Sequence, residues 1–138
     1  MILLDTDILT LFFSGHEKVV KRARDEDEEL AITVVTRYEI LLGRFAFLLK
    51  ASSEAQILRA QEWLSRSEKD LAPWRTLGVS PPVGDLFDQL RAEKSIRKIG
   101  RADLLIACIA LAHRARLVTR NTRHFLPING LRVENWAD

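Results

Sequence analysis

Three acids in this sequence stand where an acid is costly. Asp5 ends the apolar run Ile2–Leu4, Glu39 lies early in an amphipathic stretch that begins at Thr36, and Asp103 opens the most apolar segment, Leu104 to Ala112. A carboxylate bordering an apolar segment loses hydration unless a proton, a cation or hydrogen-bond donors compensate. If the three acids converge, each close pair at about 4 Å repels by roughly 4 kcal/mol at an effective dielectric of about 20. Three such pairs consume most of a domain's net stability of about 5–15 kcal/mol. Such a cluster needs protons or a cation. Oxygen donors alone favour Mg²⁺ or Mn²⁺ over zinc, because His16, His113 and His124 are scattered and Cys108 is embedded in the apolar run.

Each acid also has an ordinary structural role to set beside that chemistry. Asp103 suits the first turn of a helix, where the dipole favours it by about 0.3–1 kcal/mol. Thr36-Arg37-Tyr38-Glu39 has the spacing of a capping box, with Glu39 bonding back to Thr36. Asp7 suits the cap of a short helix running to Phe13. Asp5 has the weakest ordinary role, since it occupies the end of a strand.

The elements that would position these acids follow from the hydrophobic pattern. Ile2–Leu4 reads as a strand buried on both faces, as in a parallel sheet covered by helices, whose ligands sit at the carboxyl ends of the strands. A second strand is expected over 30–35, a third over 76–79, a fourth over 117–119 and a fifth over 131–133, beside an Asn129-Gly130 turn. Between them, Ser14-Gly15 divides two helices. A long helix from Thr36 carries Leu41, Leu42, Phe45, Leu48 and Leu49, with Gly43 allowing a close backbone approach. A polar helix over 54–67 reads as an outer helix or arm, Pro81-Pro82 start another helix, and the apolar helix spans about 102–115. This alternation predicts an α/β fold in three layers, with a parallel four- or five-stranded sheet and right-handed crossovers.

At 138 residues the chain is expected to form one domain over 1–138 with a core that needs no disulfide, and Cys108 is its only cysteine. The apolar run around it is well short of the roughly 20 residues that span a bilayer, and the N-terminus lacks the features of a signal peptide, so a cytoplasmic protein with no membrane partner is expected. Net charge is +2, too near neutral to indicate nucleic acid by itself. Residues 1–69 carry −2, however, and residues 70–138 carry +4, mostly as arginine, whose planar fork suits phosphate. The acidic run Asp25 to Glu29 reads as a solvated helix end and loop.

With these residues in place, the chain resembles the PIN-domain family, and most closely its VapC-type ribonuclease toxins. The resemblance spans nearly the whole length and rests on ILLDTDIL with Asp5, TRYEILLG with Glu39, GRADLLIA with Asp103, and VTRNTRHF followed by LRVENW. It implies a PIN-like fold in which Asp5, Glu39 and Asp103 bind Mg²⁺ or Mn²⁺. The family's fourth acidic position falls on Asn121, which removes one charge and makes this residue a contact to metal-bound water or substrate. Thr6 and Thr119 are implied as supporting hydroxyls. The activity implied is endoribonuclease hydrolysis of RNA phosphodiester bonds. The metal generates the nucleophile, which agrees with the absence of a Ser-His or Cys-His arrangement. Arg101, Arg120 and Arg123 flank the site in sequence and suit RNA phosphates. A VapB-like antitoxin and a homodimer are the implied protein partners. The Phe45–Leu49 and Trp63 helices serve either as contact surfaces or as core.

Two other classes compete. Asp5-Thr6-Asp7 resembles the paired aspartates of haloacid-dehalogenase-type phosphatases, although Leu9 stands where that motif has Thr or Val. A PIN-like RNA-binding protein without catalysis is the other, motivated by Asn121.

Overall fold

The computed structural model describes residues 1–138. Five parallel strands form one sheet in the order β3-β2-β1-β4-β5, with β1 at Ile2–Leu4, β2 at Leu30–Thr33, β3 at Thr76–Leu77, β4 at Arg116–Val118 and β5 at Val133–Glu134. Seven helices flank it: α1 Thr6–Phe13, α2 Glu17–Asp25, α3 Val34–Lys50, α4 Glu54–Leu71, α5 Pro81–Arg91, α6 Arg101–Ala112 and α7 Thr122–Phe125, with a 3₁₀ turn at Lys94–Ile96. Leu3 aligns with Ala31 on one side and Leu117 on the other, which puts the first strand at the centre.

Strand side chains alternate between faces, so one short strand feeds two cores. Leu3, Ala31 and Leu117 join Val83 of α5 and Leu104, Ala107 and Cys108 of α6 on one face. Ile2, Leu4, Ile32 and Val118 meet Ile8 and Leu9 of α1, Val19 of α2 and Trp136 on the other. This is the three-layer arrangement expected from the sequence, and it explains why Ile2–Leu4 is apolar at every position. Cys108 is fully buried, and burial pushes its thiol up to about 11, so it serves as a small core residue.

Element ends differ from expectation in ways that matter for the site. The second strand stops at Thr33, whose hydroxyl caps α3 by accepting from Thr36 N at 3.2 Å. Thr36 is therefore inside the helix and buried, and the expected capping box with Glu39 does not form. Likewise α1 is capped by Asp5, with Asp7 in its first turn. Gly43 faces open space, so the close backbone approach expected there is not made within the chain. The short α7 has no periodic pattern and was not expected.

The acidic run is also more engaged than expected. Arg116 binds Glu134 at 2.8 Å, Glu26 at 3.1 Å and Glu28 at 2.7 Å, while Arg75 binds Glu29 at 2.6 Å. These carboxylates tie the loop before β2 to the amino-terminal end of the sheet. Leu42, Phe45, Leu49, Leu58 and Trp63 are exposed on α3 and α4, so this stripe is surface and not core. Arg44 stacks over the Trp63 ring at 3.8 Å, and Phe47 meets Trp63 edge-on at 5.3 Å. No helix is long and apolar enough to cross a membrane.

Candidate active site

The centre of the site is the carboxyl end of β1 and β4. Asp5 N donates to Val118 O at 2.9 Å, which places Asp5 beside Thr119 as both chains leave the sheet. Each oxygen of the Asp5 carboxylate then finds one donor. Oδ1 accepts from Thr6 N at 2.8 Å, capping α1, and Oδ2 accepts from Thr119 Oγ1 at 2.8 Å. Thr119 is fully buried and its Oγ1 also accepts from Asn121 N at 3.1 Å, so one hydroxyl fixes both the carboxylate and the loop entering α7.

Asp5 is only 7% exposed. Burial pushes its carboxyl up to about 6 despite the two donors, and the charges of Asp7 and Asp103 push it the same way. The Asp7 carboxyl is raised too, first by burial, although it accepts from Ile8 N at 2.7 Å and Arg120 N at 3.3 Å. Asp7 thus joins α1 to the loop after β4, whereas the cap expected of it is supplied by Asp5.

Glu39 comes from α3, one turn beyond the buried Thr36, on the exposed side. Its Oε1 accepts from Thr6 Oγ1 at 2.7 Å, and Thr6 Oγ1 lies 3.1 Å from Thr36 Oγ1. A hydroxyl has one proton, so Thr36 donates to Thr6 and Thr6 donates to Glu39. Asp103 occupies the first turn of α6, behind the uncapped Gly100, and its Oδ2 is 3.2 Å from His124 Nδ1. Asn121 is the exposed N-cap residue of α7, with no side-chain capping bond. The pairing of His124 with Asp103 has no local signal in the sequence beyond the place of His124 within VTRNTRHF, three residues after Asn121.

The expected residues therefore gather around one sheet end, but not as a closed cluster. Asp5 feels the charges of Asp7 and Asp103, and Glu39 is linked to α1 through Thr6. No three His, Cys, Asp or Glu side chains lie close enough to share one metal ion. The repulsion expected of a tight cluster is relieved by separation and by the raised proton affinity of Asp5. None of the ion pairs of the fold includes Asp5, Asp7 or Glu39. The donor set fits a hard divalent cation in chemistry: its oxygens are oriented by hydroxyls and backbone amides, Asp5 and Glu39 have no cationic side chain against them while Asp103 has only His124, and it carries no thiolate.

The three expected RNA-contacting arginines do not line one common cavity. Arg123 lines a cavity with Asp103, Arg101 lines a different one with Arg91 and Arg97, and Arg120 acts on Asp7 through its backbone and charge.

Comparison with known proteins places this geometry. The PIN domain family matches residues 2–128. Ribonuclease VapC1 of Haemophilus influenzae strain R2866 is 28% identical over 138 residues, covering 98% of this chain and 97% of that protein. Among solved structures, VapBC2 from Rickettsia felis bound to a promoter DNA fragment superposes with a TM-score of 0.76 and 27% identity, over 99% of each chain. VapBC-1 from nontypeable Haemophilus influenzae gives a TM-score of 0.79 over 100% of both chains, and at 22% identity it supports the fold alone.

Proposed function

The chain belongs to the PIN-domain family, and from that premise we propose that it is a Mg²⁺- or Mn²⁺-dependent endoribonuclease, a VapC-type toxin neutralised by a VapB-like antitoxin. The observation that carries this reading is Asp5: a carboxylate held by Thr119 and Thr6, raised chiefly by burial and further by Asp7 and Asp103, with no cationic partner. Ribonuclease VapC1 supports the activity, and the VapBC complexes support the partner.

Asp5, Glu39 and Asp103 are the residues that would hold the ion, which requires their side chains to draw closer than the separated positions they take here. When bound, it neutralises charge on the scissile phosphate and supplies a water acidic enough to attack near neutral pH. The chain does the rest by orientation. Thr119 aims Asp5, the Thr36–Thr6 pair aims Glu39, and His124 steadies Asp103. Asn121, tied to Thr119 through its backbone, presents a neutral amide that can hydrogen-bond water or phosphate without adding repulsion. The in-line displacement requires no protein nucleophile.

The exposed apolar stripe of α3 and α4 is the surface we assign to protein partners, the antitoxin and a second copy of the toxin. An apolar face of this extent on a small protein fits an interface better than solvent.

The test is induction of the wild type and Asp5→Asn in a bacterial host. The wild type is expected to arrest growth and fragment RNA, and the variant to do neither. Equal growth and intact RNA with confirmed expression of both would reject the toxin reading.

A further inference from the structure

Beside Asp103 lies a cavity of about 420 Å³ lined from the 3₁₀ turn, the start of α6 and α7. Its lining includes Ser95, Lys98, Gly100, Asp103, Arg123 and His124. Lys98 and Arg123 are exposed and belong to no ion pair of the fold. This sets them apart from Arg116, Arg75 and Lys21, whose charges are taken up by carboxylates. Gly100 precedes α6 without a side-chain cap, so backbone N–H groups at the start of that helix add to the positive character of the wall. His124 forms the boundary with the acids through its contact to Asp103.

An RNA strand approaching Asp5, Glu39 and Asp103 meets the like charge of these acids and of Asp7. Cations must therefore hold the strand where its phosphates flank the scissile one. We propose that the Lys98–Arg123 cavity is that holding site, a phosphate subsite for the nucleotide next to the scissile bond of a single-stranded RNA. Ser95 lies on its wall as a hydroxyl able to bond phosphate or ribose. The second basic cavity, about 230 Å³ and lined by Arg91, Arg97 and Arg101, includes none of the proposed ligand acids, so it does not compete for this role. The inference rests on the endoribonuclease reading.

The test compares the double variant Lys98→Gln/Arg123→Gln with Lys18→Gln/Arg24→Gln, which removes the same charge from exposed, unpaired cations of α2. Two readouts are used. The first is kcat and KM on a short single-stranded RNA carrying a fluorophore and quencher. The second is the salt dependence of binding of a labelled single-stranded RNA, measured by anisotropy without added metal. The cavity pair is expected to raise KM about tenfold and to reduce the slope of log affinity against log salt by about 1.4, or about 0.7 for each lost phosphate contact. The α2 pair is expected to leave both unchanged. Equal effects in the two pairs, or an unchanged slope in the cavity pair, would overturn the subsite. A wild type that binds RNA and differs in slope from the cavity pair as expected, but cleaves none, would reject the endoribonuclease reading and with it the link to a scissile bond, leaving the cavity as an RNA-phosphate contact only.

Discussion

Replacing Asp5 by asparagine should abolish activity and yet make the metal-free protein more stable at neutral pH. The Asp5 carboxyl is raised from 3.8 to about 6. A shift of about 2 units, at about 1.4 kcal/mol each, is about 3 kcal/mol of differential interaction. The sign follows from proton binding. Below the unfolded value both states hold the proton and the cost is absent. Between there and about pH 6 the unfolded chain ionises while the folded one stays protonated, so stability falls as pH rises. Above about 6 the full cost remains.

The side-chain amide of the variant cannot ionise, so this cost disappears. It has one acceptor oxygen for two donors, Thr6 N and Thr119 Oγ1, and the mispaired Thr119 hydroxyl costs about 1 kcal/mol. Asparagine caps a helix as well as aspartate does. The net expectation is about 2 kcal/mol of extra stability for the variant at pH 7.5, and about 1 kcal/mol less than wild type at pH 3.5, with a crossover near about pH 4.5. Urea unfolding in chelator across that range measures it. A variant less stable than wild type at pH 7.5, or a difference that does not change with pH, would refute the reasoning. Adding Mn²⁺ at about 100 times its dissociation constant should then restore about 2.7 kcal/mol to the wild type and nothing to the variant.

Other perturbations have separate signatures. Thr119→Val leaves Asp5 Oδ2 and Asn121 N without a partner, and should cost about 1–3 kcal/mol by chemical unfolding while raising the Asp5 carboxyl further. Thr6→Val frees Glu39 from its donor and should weaken Mn²⁺ binding about 10–100-fold by calorimetry, with little change in the circular dichroism spectrum. Arg116→Met removes the guanidinium that Glu26, Glu28 and Glu134 share, leaving Glu26 and Glu134 only the longer contacts to Arg22 and Glu134 its bond from Trp136. It should destabilise the fold by about 1–3 kcal/mol without altering metal affinity. Cys108, buried and raised to about 11, should resist alkylation in the native protein and react on unfolding.

The fold was legible because its strands announce themselves. Ile2–Leu4 is apolar at successive positions since both faces of the central strand are covered, and the apolar α6 needs no amphipathic pattern where it packs against the sheet. What the sequence could not disclose lies at element ends. Thr33 and Thr36 are both able to cap, and Asp5 and Asp7 are both able to cap. In each pair the first residue wins, because the strand stops there and its side chain meets the leading amides. The acids of the site were recognisable by their position against apolar runs. Their linkage through Thr6, Thr119 and His124 depends on crossing distances between segments far apart in the chain, and local pattern carries no trace of it. The exposure of the α3–α4 stripe was equally hidden, since a helical apolar period looks the same whether the face is covered by the chain itself or by a partner.

The most direct test of the central claim is cleavage of RNA by the purified protein, free of any partner, in chelator and after addition of Mg²⁺ or Mn²⁺, with Asp5→Asn, Glu39→Gln and Asp103→Asn alongside. The account predicts cleavage by the wild type only with metal, and losses of at least about 100-fold in each variant. Metal-independent cleavage, or full activity in any of the three variants, would contradict it.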